Sequence, residues 1–183
     1  MVLERFLSEK RDAILERWLQ LILESYPAQT SGFLKQESDR FANPIGYTIS
    51  QEIEALYEEL LHGMNSDKLA ASLDNIIRIR SVQDFSPSQV IAFTFLLKRA
   101  IKEELASEIG EKQVFEELLN FGSRIDELVL LALDIYMKCR EKVYEIRVNE
   151  VKAETEQLSK LLERTNLMYE KPGKERSFED KSM

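Results

Sequence analysis

Few side chains in this sequence are suited to chemistry, and the first is its single histidine, His62. Glu59 stands three residues before it, and Glu-x-x-His is the helical spacing with which carboxylate di-iron bundles aim two ligands at one site. Such a site takes two of these motifs and two further glutamates. This chain supplies one motif, so a metal-dependent oxidase built on Glu59 and His62 would need both halves of a symmetric dimer. His62 also precedes Gly63 at an expected helix end, where a solvated histidine is ordinary. With no second histidine to form a distal pocket, no haem is expected, and no metal or other cofactor is assigned.

Cys139 is the only cysteine. It falls on an apolar helical stripe, as a small core residue does, and its neighbours Lys138 and Arg140 point elsewhere on a helix, where they cannot lower its pKa. The acidic pairs Glu58–Glu59, Glu103–Glu104 and Glu116–Glu117 diverge on a helix surface and make no acid–base pair. Phosphate-cradling glycine loops and Gly-x-Ser-x-Gly nucleophile turns are absent from the sequence. No catalytic residue is therefore assigned, and the chain is read as a non-enzyme. The remaining polar candidates are Arg40, Asn43, Arg78, Arg80, Gln83 and Asp84, near the expected corners between helices. They read as caps and buried pairs; alternatively they line a small ligand or partner site, because guanidinium groups bind carboxylate and phosphate bidentately.

The elements that position these residues are helical. Between Arg80 and Arg99, Ser86, Pro87 and Gln89 have the spacing of a capping box with proline at the first helical position. Phe85 and Val90 occupy the positions of a hydrophobic staple. Residues 87–108 then read as one helix, apolar nearly all round and therefore buried. Upstream, Leu3, Phe6, Leu7, Ile14, Leu15, Trp18, Leu19, Ile22 and Leu23 predict a helix over 3–25, ended by Pro27. A short helix is expected after Ser31, with Phe33 and Leu34 inward. Asn43 and Pro44 start the next, with Ile45, Ile49, Ile53, Leu56, Tyr57, Leu60 and Leu61 inside and Gly63 as a left-handed cap. Asn65 or Ser66 opens a helix with Leu69, Leu73, Ile76, Ile77 and Ile79 inside. Its last turn holds Arg78 and Arg80, where positive charge suits the helix dipole.

Residues 111–121 form an amphipathic piece through Val114, Phe115, Leu118, Leu119 and Phe121, with a break expected at Gly122–Ser123. A final helix follows, its stripe running Ile125, Leu128, Val129, Ala132, Ile135, Tyr136, Cys139, Val143 and Ile146. From Tyr144 a second stripe takes over through Val148, Val151, Thr155, Leu158, Leu162, Thr165 and Tyr169. Those positions alternate by four and three between charged flanks such as Glu150, Lys152, Glu154 and Lys160, the pattern of a coiled-coil seam. Over 123–169 the helix would measure about 70 Å at about 1.5 Å per residue. A compact domain of this size is only roughly 35–40 Å across. The helix is therefore expected to protrude, with Tyr144, Val148, Val151, Leu158 and Leu162 as a dimer seam. The organisation is then a helical domain over 1–143, a coiled-coil-like extension over 144–169 and a disordered tail over 170–183.

Composition bounds the function. The 183 residues are 44% apolar and 32% charged, with 6 Gly and 4 Pro, the profile of a mostly helical chain with few turns. A net charge of −8 disfavours nucleic acid and anionic membrane surfaces, both of which need basic protein surface. The N-terminus lacks the apolar core of a signal peptide, and no apolar run approaches the roughly 18 residues of a membrane span. One cysteine permits no intrachain disulfide, so a cytoplasmic protein is expected.

Three stretches carry a family resemblance: DRFANPIGYTI at 39–49, RIRSVQDFSPSQVIAFTFLLK at 78–98 and LALDIYMKCREKVYEIR at 131–147. With them, residues 3–150 resemble the N-terminal domain of RsbR/RsbRD-type proteins, the RsbT co-antagonists of the bacterial stressosome. The resemblance implies an all-α, globin-like helical domain without haem, dimerising through its terminal helices and acting in sensing or protein–protein signalling. A full RsbR-type protein continues into a STAS domain that carries the phosphorylated residues. This chain ends at Met183, so a stand-alone sensor domain is expected. The leading expectation is a homodimeric regulatory module with a protein partner. The alternative is a ligand carrier or sensor with an internal pocket near Phe93, Tyr136 and Cys139.

Overall fold

The computed structural model describes residues 2–28, 30–32, 43–83, 85–108, 110 and 112–169, for the last three of these without side chains. Phe33, Leu34, Arg40, Asp84 and the tail from 170 lie outside the described residues. The fold is all-α, with no strand among the described residues and a long C-terminal helix. The principal helices are α1 (Val2–Glu9), α2 (Arg11–Glu24), α3 (Pro44–His62), α4 (Ser66–Ser81), α5 (Pro87–Ile91), α6 (Phe93–Glu104) and α7 (Lys112–Tyr169). They form two compact units, Met1–Cys139 and Arg140–Met183.

In the first unit α3 packs along α4 and α2 packs along α6. Trp18 of α2 and Phe93 of α6 are both fully buried, and the Trp18 indole N–H donates to the Phe93 carbonyl at 2.7 Å. The inward row of α3 is Ile49, Ile53, Leu56, Tyr57 and Leu60, as its spacing predicts. The Tyr57 hydroxyl donates to the Leu7 carbonyl at 3.0 Å, tying α3 to α1, and burial pushes this phenol well above its ordinary pKa. From α7 the core receives Val114, Phe121, Ile125, Leu128, Ala132 and Tyr136.

Local chemistry explains the helix starts. The Asn43 side chain accepts from Gly46 N–H at 2.8 Å, and a Cβ at position 46 would collide with that same side chain. Asn65, not Ser66, is the cap of α4 and accepts from the amides of Asp67 and Lys68. The capping box at α5 is complete: Ser86 N–H donates to Gln89 Oε1 at 2.8 Å and Gln89 N–H donates to Ser86 Oγ at 3.4 Å.

Several expectations require correction. The helix over 3–25 is interrupted at Lys10, whose ammonium reaches the Glu104 carbonyl at 2.6 Å and an ion pair with Glu108 at 2.8 Å. The helix over 87–108 is two, because the chain turns at Ala92. There Phe95 N–H bonds back to Ala92 and Thr94 Oγ1 donates to Ile91, both three residues away. That shift leaves Phe95 half exposed, so this segment is not buried all round. Gly63 is not left-handed; the positive φ, 50°, falls on Met64. The absence of a Cβ at 63 instead leaves room for the Glu59 carboxylate, which folds into that space and would have to swing aside for any other residue. No break occurs at Gly122–Ser123, where α7 runs on and Ser123 Oγ donates to the Leu119 carbonyl at 3.4 Å. A single glycine costs a helix only about 1 kcal/mol, which good helix formers on both sides overcome. Phe115 and Leu119 are exposed rather than inward, because Val114, Leu118, Phe121 and Ile125 hold the core-facing positions.

Candidate functional site

The end of α4 places one arginine outside and one inside. Leu69, Leu73, Ile76 and Ile77 are buried, and the next residue in phase is Arg80, which is only 1% exposed. Ile79, expected inside, is instead partly exposed. Arg78 lies on the outer face and pairs with Asp74 one turn back, at 2.6 Å. The Arg80 guanidinium lies 4.3 Å from the Phe85 ring centre and 5.1 Å from that of Tyr26. The two rings meet edge to face, their centres 5.1 Å apart and their planes at 86°. Arg80 Nη2 donates to the Gln89 carbonyl at 2.9 Å and to Ser25 Oγ at 3.2 Å. Nε and Nη1 have no hydrogen-bond partner among the described residues.

Burial lowers the pKa of Arg80 and raises that of Tyr26, and their closeness opposes both shifts. The Tyr26 hydroxyl approaches the Arg80 guanidinium closely enough for that contact to hold its pKa down against burial, but it meets no partner at full hydrogen-bond distance and angle. Gln83 Oε1 and Ser81 Oγ are likewise buried without a partner, which completes the set of such atoms among the described residues. Those of Tyr26, Arg80 and Gln83 belong to this one corner. Beside it a cavity of about 330 Å³ is lined by Tyr26, Pro27, Thr30, Gln83 and Phe85.

Of the polar residues singled out in the sequence, the structure thus brings together Arg80 and Gln83. Asn43 serves as a helix cap, Arg78 stands apart on the surface, and Arg40 and Asp84 lie outside the described residues. Sequence reading missed Tyr26 and Phe85 as the walls of the corner. The phase of Arg80, four residues after Ile76 on the buried row, was the available signal.

A second cavity, of about 260 Å³, lies between Leu3, Leu7, Leu61 and Phe121. Two of its polar groups are engaged: Glu117 accepts from Leu3 N–H at 2.7 Å and Arg124 donates to the Leu60 carbonyl at 3.0 Å. Neither cavity is the pocket expected near Phe93, Tyr136 and Cys139. Glu59 and His62 do not converge. Lys68 and the Asn65 amide hold the Glu59 carboxylate and keep its pKa below the usual range, whereas His62 lies 3.8 Å from Glu58 and 4.0 Å from Glu4.

The second unit presents the other candidate surface. Every residue from 140 to 166 is exposed, including Tyr144, Val148, Val151, Leu158 and Leu162. Arg140 lies over the Tyr144 ring at 5.3 Å and donates to its hydroxyl, while Thr155 and Thr165 turn their hydroxyls back to carbonyls of their own helix. In the first unit α7 also exposes Leu130, Leu133 and Met137 besides Phe115 and Leu119. No described helix is long and apolar enough to cross a membrane.

The class so defined is an all-α domain with a long C-terminal helix and an arginine-bearing corner. The chain belongs to the family of the RsbT co-antagonist protein rsbRD N-terminal domain, whose model matches residues 12–151. It is also similar to an uncharacterized protein of Archaeoglobus fulgidus, 28% identical over 158 residues, covering 84% of this chain and 92% of that protein. No solved structure matches it.

Proposed function

We infer that the chain is a non-enzymatic regulatory module of the stressosome-sensor type, acting as a homodimer through protein–protein contact. The observation that carries this reading is the wet seam of Tyr144, Val148, Val151, Leu158 and Leu162. Each aliphatic side chain gains about 1.5–3 kcal/mol when fully buried. A second copy offers the same seam, and the alternating charges on its flanks suit that pairing. The exposed row of Phe115, Leu119, Leu130, Leu133 and Met137 gives the dimer further apolar surface on the first unit. Family membership supports the signalling role, a cytoplasmic setting and a further protein partner. Net charge disfavours nucleic acid. The oxidase alternative loses its motive where Glu59 is engaged by Lys68.

Sedimentation equilibrium of the full chain over a concentration series tests the dimer. A dimer that Val151→Glu/Leu158→Glu converts to a folded monomer is the expected result. A wild-type chain that stays monomeric at high micromolar concentration would overturn the reading.

A further inference from the structure

Arg80 is a cation almost wholly removed from water, and no carboxylate lies within ion-pair distance of it among the described residues. Burying an unpaired charge costs several kcal/mol. The faces of Tyr26 and Phe85 offset part of that cost, but a ring face does not supply the directed acceptors that Nε and Nη1 lack. Nearby, Tyr26 OH and Gln83 Oε1 are also unmet, and both residues line the cavity. Unmet polar atoms scattered through a core would be packing faults. Here two of them, on Tyr26 and Gln83, line a cavity of a size that takes a small ligand, roughly 300–1,000 Å³, and the Arg80 guanidinium lies directly behind the Tyr26 and Phe85 rings of its wall.

We propose that the corner of Tyr26, Arg80, Gln83 and Phe85 is a binding site for a small aromatic carboxylic acid. The carboxylate supplies the negative charge that Arg80 has from no described residue and accepts from both its guanidinium and the neighbouring Tyr26 hydroxyl. The flat body fits walls made by Tyr26, Phe85 and Pro27, and a hydroxyl on the ring answers the Gln83 oxygen. A phosphate monoester is the poorer fit. It carries up to two negative charges against one buried cation, and the rest of the wall is largely apolar. The proposal does not depend on dimerisation, and its failure would leave the seam reading intact.

The test is titration calorimetry of the full chain with 4-hydroxybenzoate, its neutral analogue 4-hydroxybenzamide, and inorganic phosphate. Saturable binding of the acid is expected, with the amide weaker by roughly tenfold or more because it lacks the charge-assisted hydrogen bond. Phosphate should not compete. Tyr26→Phe, which removes only the unmet hydroxyl, should weaken binding of the acid about fivefold or more while leaving the helical ellipticity unchanged. Arg80→Gln should abolish binding. Should that variant fail to fold, Gln83→Ala is the alternative and should weaken binding about threefold or more. Equal affinities for acid and amide, no saturable binding up to millimolar acid, or indifference to both Tyr26→Phe and Gln83→Ala would overturn the site. Phosphate binding as tightly as the acid would overturn the aromatic class.

Discussion

In α2 the apolar positions Ile14, Trp18, Leu21 and Ile22 are all buried, whereas beyond Arg140 in α7 every apolar residue through Leu162 is exposed. The two stretches carry similar side chains at similar spacing. What differs is whether the same unit supplies a covering surface. Around α2 that surface comes from α3 and α6. Among the described residues of the second unit nothing comparable covers the apolar face. Helical periodicity records that a face must be covered; it does not record what covers it.

Breaking the covered face should have the largest effect. Phe93→Ala empties a fully buried aromatic site and is expected to cost about 3–5 kcal/mol in denaturant melts. A loss below about 1 kcal/mol would mean that the joint between α2 and α6 relaxes around the change. The uncovered face should behave in the opposite way. Val151→Ala/Leu158→Ala should raise the dimer dissociation constant by roughly tenfold or more, about 1.4 kcal/mol. The stability of the first unit should meanwhile stay within about 0.5 kcal/mol, the usual range for surface substitutions. Equal dissociation constants for variant and wild type would detach the seam from self-association. Smaller again, Ser86→Ala removes one half of the capping box and should cost about 1 kcal/mol.

Acid should act on the surface of the first unit in a predictable direction. Glu103 is held below the ordinary carboxylate range by Arg17 and then Arg99, and Glu108 by Lys10 and then Ser107. A carboxylate whose folded pKa is depressed stabilises the fold fully above its unfolded value, about 4.3. That contribution is lost as pH falls through the lower folded value. The melting temperature should therefore drop on acidification below about 4.3, and less steeply in Glu103→Gln. An unchanged slope would show that the Arg17 and Arg99 contacts do not persist in solution. Least of all, Arg78→Ala removes one exposed pair with Asp74 and should cost no more than about 0.5 kcal/mol in urea melts.

The helices were legible where one residue type decides the matter. Asn43, Asn65, Ser86 and Gln89 fix the starts of α3, α4 and α5 because capping is local chemistry. The turn at Ala92 and the continuity through Gly122 were not legible. Each is a small local preference decided by packing elsewhere in the unit. The arginine corner was half legible. Arg80 and Gln83 stand out as polar residues near a helix end, but Ser25 is 55 residues from Arg80, and no spacing rule joins them. Whether a stripe such as Phe115 and Leu119 faces in or out turns on a step of one position around the helix. Only the neighbouring helices settle that.

Trp18 is the single tryptophan of the chain, and its indole is sealed between α2 and α6 with its N–H on the Phe93 carbonyl. It is therefore a built-in optical probe with a restricted field of view. Its emission should be blue-shifted and poorly quenched by iodide in the folded protein. It should report the melting of the first unit and remain blind to residues 140–166. Far-ultraviolet ellipticity sees every helix alike. Recording both signals on one sample during a thermal ramp should then resolve the fraying of the distal part of α7 as ellipticity lost before the fluorescence moves.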